Sequence, residues 1–92
     1  MTLKDNDNGI DIIVPVFNEE EILPEFHRRI SSLHLPLNLI YIDNCSTDRS
    51  VEIIQGFGDG VTLIQHAQNE GYGGSLIDGI VHSQNERIVI ID

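Results

Sequence analysis

Leu37–Asp48, LNLIYIDNCSTD, is the stretch whose reading decides the fold. An apolar run of strand-forming residues stops at a carboxylate, an amide and three small polar residues, directly before a helix start signal. That pattern places the polar side chains at the carboxyl edge of a parallel sheet, where open α/β folds bind ligands.

Upstream, Ile10–Phe17, IDIIVPVF, is mostly apolar and β-branched, as a strand buried on both faces of a parallel sheet must be. Pro15 has no N–H for a ladder bond, so pairing is expected to end near it. The strand opens into Asn18–Glu21, where Asn18 fits an N-cap and the glutamates suit the positive end of a helix. Ile22, Phe26, Ile30 and Leu33 then recur at spacings of four, four and three, a helical stripe. Pro24 would remove a bond from a helix begun at Asn18, so the regular helix is expected one or two residues later.

Downstream, Ser46 or Thr47 is expected to cap a helix running to about Gln55, with Asp48 in its first turn and Val51 and Ile54 facing inward. Gly56, Gly58 and Gly60 break it, and Val61–His66 reads as a third strand. Ala67–Ser75, AQNEGYGGS, reads as a glycine-rich turn, followed by helical spacing of Leu76, Ile77, Ile80 and Val81 up to Ser83. Arg87–Asp92, RIVIID, is a fourth strand. The order βαβαβαβ predicts a Rossmann-like α/β fold: a parallel sheet in strand order 3-2-1-4 with helices on both faces and right-handed crossovers.

A chain of 92 residues holds at most one small domain. Residues 1–9 read as a disordered leader and 10–92 as the folded part. A strand with nothing after it predicts the N-terminal part of something larger, since chain ends usually lie exposed and loosely held. Five Lys plus Arg against fifteen Asp plus Glu, a formal charge of −10, argue against nucleic acid or an anionic membrane surface as partner. The single Cys45 can form no internal disulfide, and the polar, acidic start is no signal peptide. No apolar run approaches the roughly 20 residues of a membrane span. The chain therefore reads as cytoplasmic, with any tether to the cytoplasmic face of a membrane lying beyond Asp92.

Four strand ends converge in this topology: Pro15–Glu19, Asp43–Ser46, His66–Gly74 and Asp92. Asp43 and Asn44 are either ordinary turn formers or a carboxylate and amide able to meet a nucleobase edge or ribose hydroxyls. The run Gly71, Tyr72, Gly73, Gly74 is no dinucleotide fingerprint, because Leu76 stands where GxGxxG needs glycine, and no lysine makes it a phosphate loop. It is either a helix entry needing positive φ or a place where a ligand approaches the backbone. Gly79 suggests tight packing of its helix on the sheet. His27, His34, His66 and His82 lack ligand-like spacing and read as surface or packing residues, with His66, at a strand end, the most open to another role. Cys45 reads as an inert thiol. Asp92 is one carboxylate, and a metal site needs more.

Taken together, IVPVFNEEE, IYIDNCSTDRS, NEGYGGSLIDGI and IVIID, in this order and spacing, resemble the family 2 glycosyltransferases. NEGYGG is most similar to the polyprenyl-phosphate, dolichyl-phosphate mannose synthase-like branch. The resemblance covers Ile10–Asp92 and implies the nucleotide-binding half of a GT-A fold. It implies that Pro15, Val16, Phe17, Asn18 and Glu19 form the first nucleotide-binding loop. It sets Asp43 and Asn44 at the family's Asp-Asp pair for base and ribose, with Asn44 replacing the second Asp. Asn69 to Gly74, with Asn69, Gly71 and Gly74 as named contacts, match the loop beside the diphosphate and sugar. Asp92 falls on the first Asp of the DxD motif, which binds Mg²⁺ or Mn²⁺ with the diphosphate, a Lewis acid for the charge that builds on the leaving phosphate. The implied partners are a nucleotide-diphosphate sugar donor and an acceptor, a polyprenyl phosphate in this branch.

No catalytic residue is assigned, because the second DxD carboxylate, the general base and the acceptor site are not among these residues, and the chain alone is expected to be inactive. Two other readings compete. A non-catalytic flavodoxin-like nucleotide-binding or signalling module of the receiver type would want acidic residues after its first strand and a lysine near its last, whereas Pro-Val-Phe-Asn follows the first and Lys4 is the sole lysine. A pseudoenzyme would differ only after Asp92.

Overall fold

Strands β1 (Ile10–Val16), β2 (Leu37–Asp43), β3 (Val61–Gln65) and β4 (Ile88–Ile90) form one sheet in the order β3-β2-β1-β4, with every pair parallel. Three helices connect them: α1 (Leu23–Ser31), α2 (Ser50–Gln55) and α3 (Gly71–His82). This computed structural model describes residues 9–91, so Asp92 and residues 1–8 of the expected leader lie outside the described residues. The strand order and the parallel pairing are those the sequence predicts.

The period of two along a strand sorts the core between the faces. Ile12, Val14, Val16, Leu39 and Tyr41 pack under Leu23 and Ile30 of α1 and Ile54 of α2. Ile13, Ile40 and Ile42 face the other way, with Ile64 and Leu76 of α3 against them. Helices therefore cover both faces. Pro15 sits comfortably in a central strand because its ring nitrogen faces the β4 side, where pairing stops at Ile13 opposite Ile90. Toward β2 the pairing continues through Val16 and Asp43.

Several boundaries differ from expectation, each for a local reason. Helix α1 starts at Leu23 behind Ile22, with no side-chain cap. Pro24 lies in the first turn, where a missing N–H is harmless. Asn18 does not cap it. Helix α2 starts at Ser50, not near Ser46, because the intervening residues are tied across to the loop after β1. Helix α3 starts at Gly71, so the glycine run is its first turn and not a loop. The Asn69 Oδ1 accepts the Gly71 N–H at 2.8 Å, and Gly71 enters the helix at a φ of 78°. On α3 the buried positions are Ser75 and Gly79, while Ile77, Ile80 and Val81 are exposed. In α1 the expected stripe holds at Ile30 and half-buried Phe26, but Ile22 and Leu33 lie outside.

Candidate functional site

The loops that leave β1 and β2 are built as a pair. Val16 lies opposite Asp43 in the register, and two residues beyond each the chain takes a left-handed conformation, at Asn18 (φ 53°) and Cys45 (φ 71°). The two turns then satisfy each other. Asn18 N–H donates to Ser46 Oγ at 2.9 Å, while Asn18 Oδ1 accepts from the N–H groups of Thr47 and Asp48 at 2.8 and 3.2 Å. Glu19 N–H donates to Ser50 Oγ at 2.9 Å, Glu20 N–H to Asp48 Oδ2 at 3.1 Å, and Arg49 N–H to Glu20 Oε1 at 2.8 Å. Burial opposes the charge of Asp48, but donation by Ser50 and Glu20 outweighs it and holds the carboxyl below its usual range. Asn18 is thus a structural clasp between loops.

Beside this clasp a cleft of 430 Å³ opens at the carboxyl ends of the strands, lined by Pro15, Val16, Phe17, Glu19, Asn44, Asn69, Gly71, Tyr72 and Ser75. It gathers seven of the residues the sequence singles out. Asn18, Asp43 and Gly74 do not line it. The missing Cβ of Gly74 would lie 2.9 Å from Glu70 Cβ, so this glycine makes room for a neighbouring side chain, whereas a Cβ at Gly71 or Gly73 would meet nothing within 4 Å. Asp43 is buried at the end of β2. Its Oδ2 accepts from Ser46 N–H at 3.1 Å, and its Oδ1 is buried without a donor among the described residues.

Asn44 joins β2 to the entry of α3. Its Oδ1 accepts from Glu70 N–H at 2.7 Å and its Nδ2 donates to Asn69 Oδ1 at 2.8 Å. Behind it His66, buried at the end of β3, has Nδ1 3.2 Å from Asn44 Oδ1 and Nε2 2.6 Å from Asp78 Oδ2. Sequence reading missed this pair and the cleft residue Ser75, while Tyr72 lies inside the expected loop of Asn69 to Gly74. A histidine at a strand end was the only signal for the first, and Asp78 lies in a helix whose polar face looks ordinary. His66, Glu70 and Asp78 bring three ligand-type atoms within 4.8 Å of one another. The 2.6 Å contact is a short hydrogen bond between His66 and Asp78, with Glu70 at 3.8 Å. The residue expected to hold Mg²⁺ or Mn²⁺, Asp92, lies outside the described residues.

Residues 11–92 match the family model described as glycosyl transferase family 2. The chain belongs to that family. Among curated relatives of this family 2 member, the undecaprenyl-phosphate 4-deoxy-4-formamido-L-arabinose transferase of Pseudomonas paraeruginosa is 30% identical over 91 residues, which cover 90% of this chain and 27% of that protein. The 4,4'-diaponeurosporenoate glycosyltransferase of Staphylococcus aureus is 28% identical, covering 99% of this chain and 25% of its own. The chain thus spans about a quarter of the length of these relatives. The crystal structure of S. aureus TarS 1-349 superposes with a TM-score of 0.85 at 21% identity, over 91% of this chain and 27% of that one, and shares its fold. Among the described residues no helix is long and apolar enough to cross a membrane.

Proposed function

We propose that the cleft at the strand ends binds the nucleoside diphosphate of a sugar donor, and that this chain is the donor-nucleotide half of a glycosyltransferase. The observation that carries the reading is the cleft itself, which draws Pro15, Val16, Phe17 and Glu19 from one strand end, Asn44 from the next and Asn69 and Gly71 from the third. Three further features support it. The first turn of α3 carries no acidic side chain, and the positions of Gly71 and Gly73 open into free space, so a diphosphate can approach its N–H groups. Phe17 and Tyr72, both about half exposed, offer aromatic surface to a base. Asp43 Oδ1, buried beside the cleft with no donor among the described residues, is an acceptor that a base N–H or ribose hydroxyl meets once the Ser46 turn over it yields, and an unmet buried acceptor costs free energy.

Asp92 is the residue we assign to Mg²⁺ or Mn²⁺; such an ion, when bound, would supply a Lewis acid for the departing phosphate. Within the chain the residues named above bind and orient the nucleotide. By analogy with the Pseudomonas relative, the acceptor is a polyprenyl phosphate, received at the cytoplasmic face of a membrane by parts of the protein outside this chain. Residues 10–92 form the folded nucleotide-binding part, and alone they transfer no sugar.

Calorimetry with UDP and GDP tests the reading. A nucleoside diphosphate binds the wild-type chain, and Asp43→Ala weakens it by ~1 to 3 kcal/mol through the lost hydrogen bonds. Equal affinity in a folded Asp43→Ala chain removes Asp43 from the site, and no binding of either nucleotide removes the cleft.

A further inference from the structure

We propose that His66 in its doubly protonated form is the positioning residue of the cleft, holding Asn44 and the entry of α3 in the arrangement that receives the nucleotide. The inference rests on the nucleotide reading of the cleft. It follows from counting donors and acceptors. Glu70 N–H can only donate, so the Asn44 atom 2.7 Å away is an oxygen. Asn69 Oδ1 takes the Gly71 N–H at 2.8 Å, so the Asn44 atom facing Asn69 is the NH₂. Both amides are therefore oriented by backbone donors, and turning Asn44 over would set like against like at two contacts.

His66 Nδ1 thus faces an oxygen and must carry a proton. Nε2 faces the Asp78 carboxylate at 2.6 Å and must carry one as well. Two ring N–H groups make an imidazolium, and its bond to Asp78 is charge-assisted. The charged groups that face the ring are Asp78 and, at 3.8 Å, Glu70 from the α3 side, while the end of β2 contributes the uncharged Asn44, and the Asp43 carbonyl holds the backbone N–H of His66 at 2.9 Å. No cation opposes it there among the described residues. Loss of either ring proton turns one of the two contacts into a lone pair facing an oxygen. If Nδ1 loses it, Asn44 is repelled, and with it Asn69 and Gly71, which line the cleft. If Nε2 loses it, α3 is released at Asp78. A ligand that needs the assembled cleft therefore binds together with the His66 proton, and its affinity falls as pH rises.

The test uses UDP as probe. Its affinity is measured from about pH 5 to 8 for wild type, His66→Gln and Asp78→Asn, and the ring nitrogens of His66 are observed by ¹⁵N NMR. The expected result is two ring N–H signals in the wild type at low pH and an affinity that declines by about tenfold as the second is lost. In His66→Gln the step vanishes, with only the shallow slope of the nucleotide's own phosphate remaining, and in Asp78→Asn it moves to lower pH. A single ring N–H at every pH overturns the proposal even if neither variant folds, as does an identical pH profile in His66→Gln. If UDP does not bind at all, the nucleotide reading fails separately. Hydrogen exchange of the Glu70 and Gly71 amides then decides the proton's role: exchange that quickens as the second N–H is lost supports it, and exchange that follows only the intrinsic rate refutes it.

Discussion

A Cβ built on Gly79 would lie 2.6 Å from Cγ2 and 3.0 Å from Cδ1 of Ile13, which is fully buried in the central strand β1. The gap is closed by backbone placement, so α3 approaches the sheet as nearly as it does only because position 79 has no side chain. Alanine is the better helix former by about 1 kcal/mol, but overpacking a core position costs about 1 to 3 kcal/mol, so the clash with Ile13 outweighs the gain in helix propensity. Gly79→Ala is expected to lower stability by ~1 to 2 kcal/mol in urea unfolding, and Gly79→Ala with Ile13→Val to recover part of it. A neutral or stabilising Gly79→Ala would mean that α3 can lift without cost. The tight packing was legible from a glycine inside an apolar helix. Asn18 was legible only as a polar residue after a strand, because the atoms it satisfies belong to residues 47 and 48.

At the scale of elements, Asp11 ties the end of α3 to the start of β4. Its Oδ2 accepts the N–H groups of Gln84 and Asn85 at 2.6 and 3.0 Å, and its Oδ1 accepts from Asn85 Nδ2 and Asn38 Nδ2 at 2.7 and 3.1 Å. Burial works against the charge, yet donation by Asn85, Asn38 and Gln84 outweighs it and holds the carboxyl below its usual value. The sign follows from linkage: a carboxyl with its folded pKa depressed stabilises the fold fully above the unfolded value near 3.8, and that stability is lost as pH falls through the folded value. Asp11→Ala leaves two backbone donors without a partner and is expected to cost about 2 to 3 kcal/mol at neutral pH. The difference between wild type and Asp11→Ala should shrink in unfolding experiments below pH 3.8. A difference that stays constant with pH would show that the carboxylate's charge contributes nothing.

Over the whole molecule, the outer side of α3 is apolar and open to solvent, with Ile77, Ile80 and Val81 exposed at 62%, 50% and 71%. The sequence pattern suggested a helix with these residues in its stripe, and the sheet instead takes Ser75 and Gly79. A surface of this kind drives association, and the −10 charge opposes it until salt screens the repulsion. The chain is therefore expected to self-associate at roughly micromolar to millimolar concentration, more so as salt rises. Ile77→Lys with Val81→Lys should return it to a monomer in sedimentation velocity. A wild-type chain that sediments as a monomer at high salt would contradict this account.

The alternation of β-branched runs with helical spacing determined by itself the α/β class, the parallel sheet, its strand order and the edge on which the cleft opens. Those signals are local, and they add along the chain, because burying Ile12, Ile40 or Ile54 depends little on which partner buries them. The polar wiring of the site is of another kind. His66 meets Asn44 across 22 residues, and Asp11 meets Asn85 across 74. Each of these pairs is specified by donor and acceptor geometry that exists only after β3, β2, β1 and β4 have taken their places. Tertiary structure alone therefore decided that Asn18 clasps a neighbouring loop and that His66 stands behind Asn44. A hydrogen bond is directional over a few tenths of an ångström, and no spacing in a sequence carries that information.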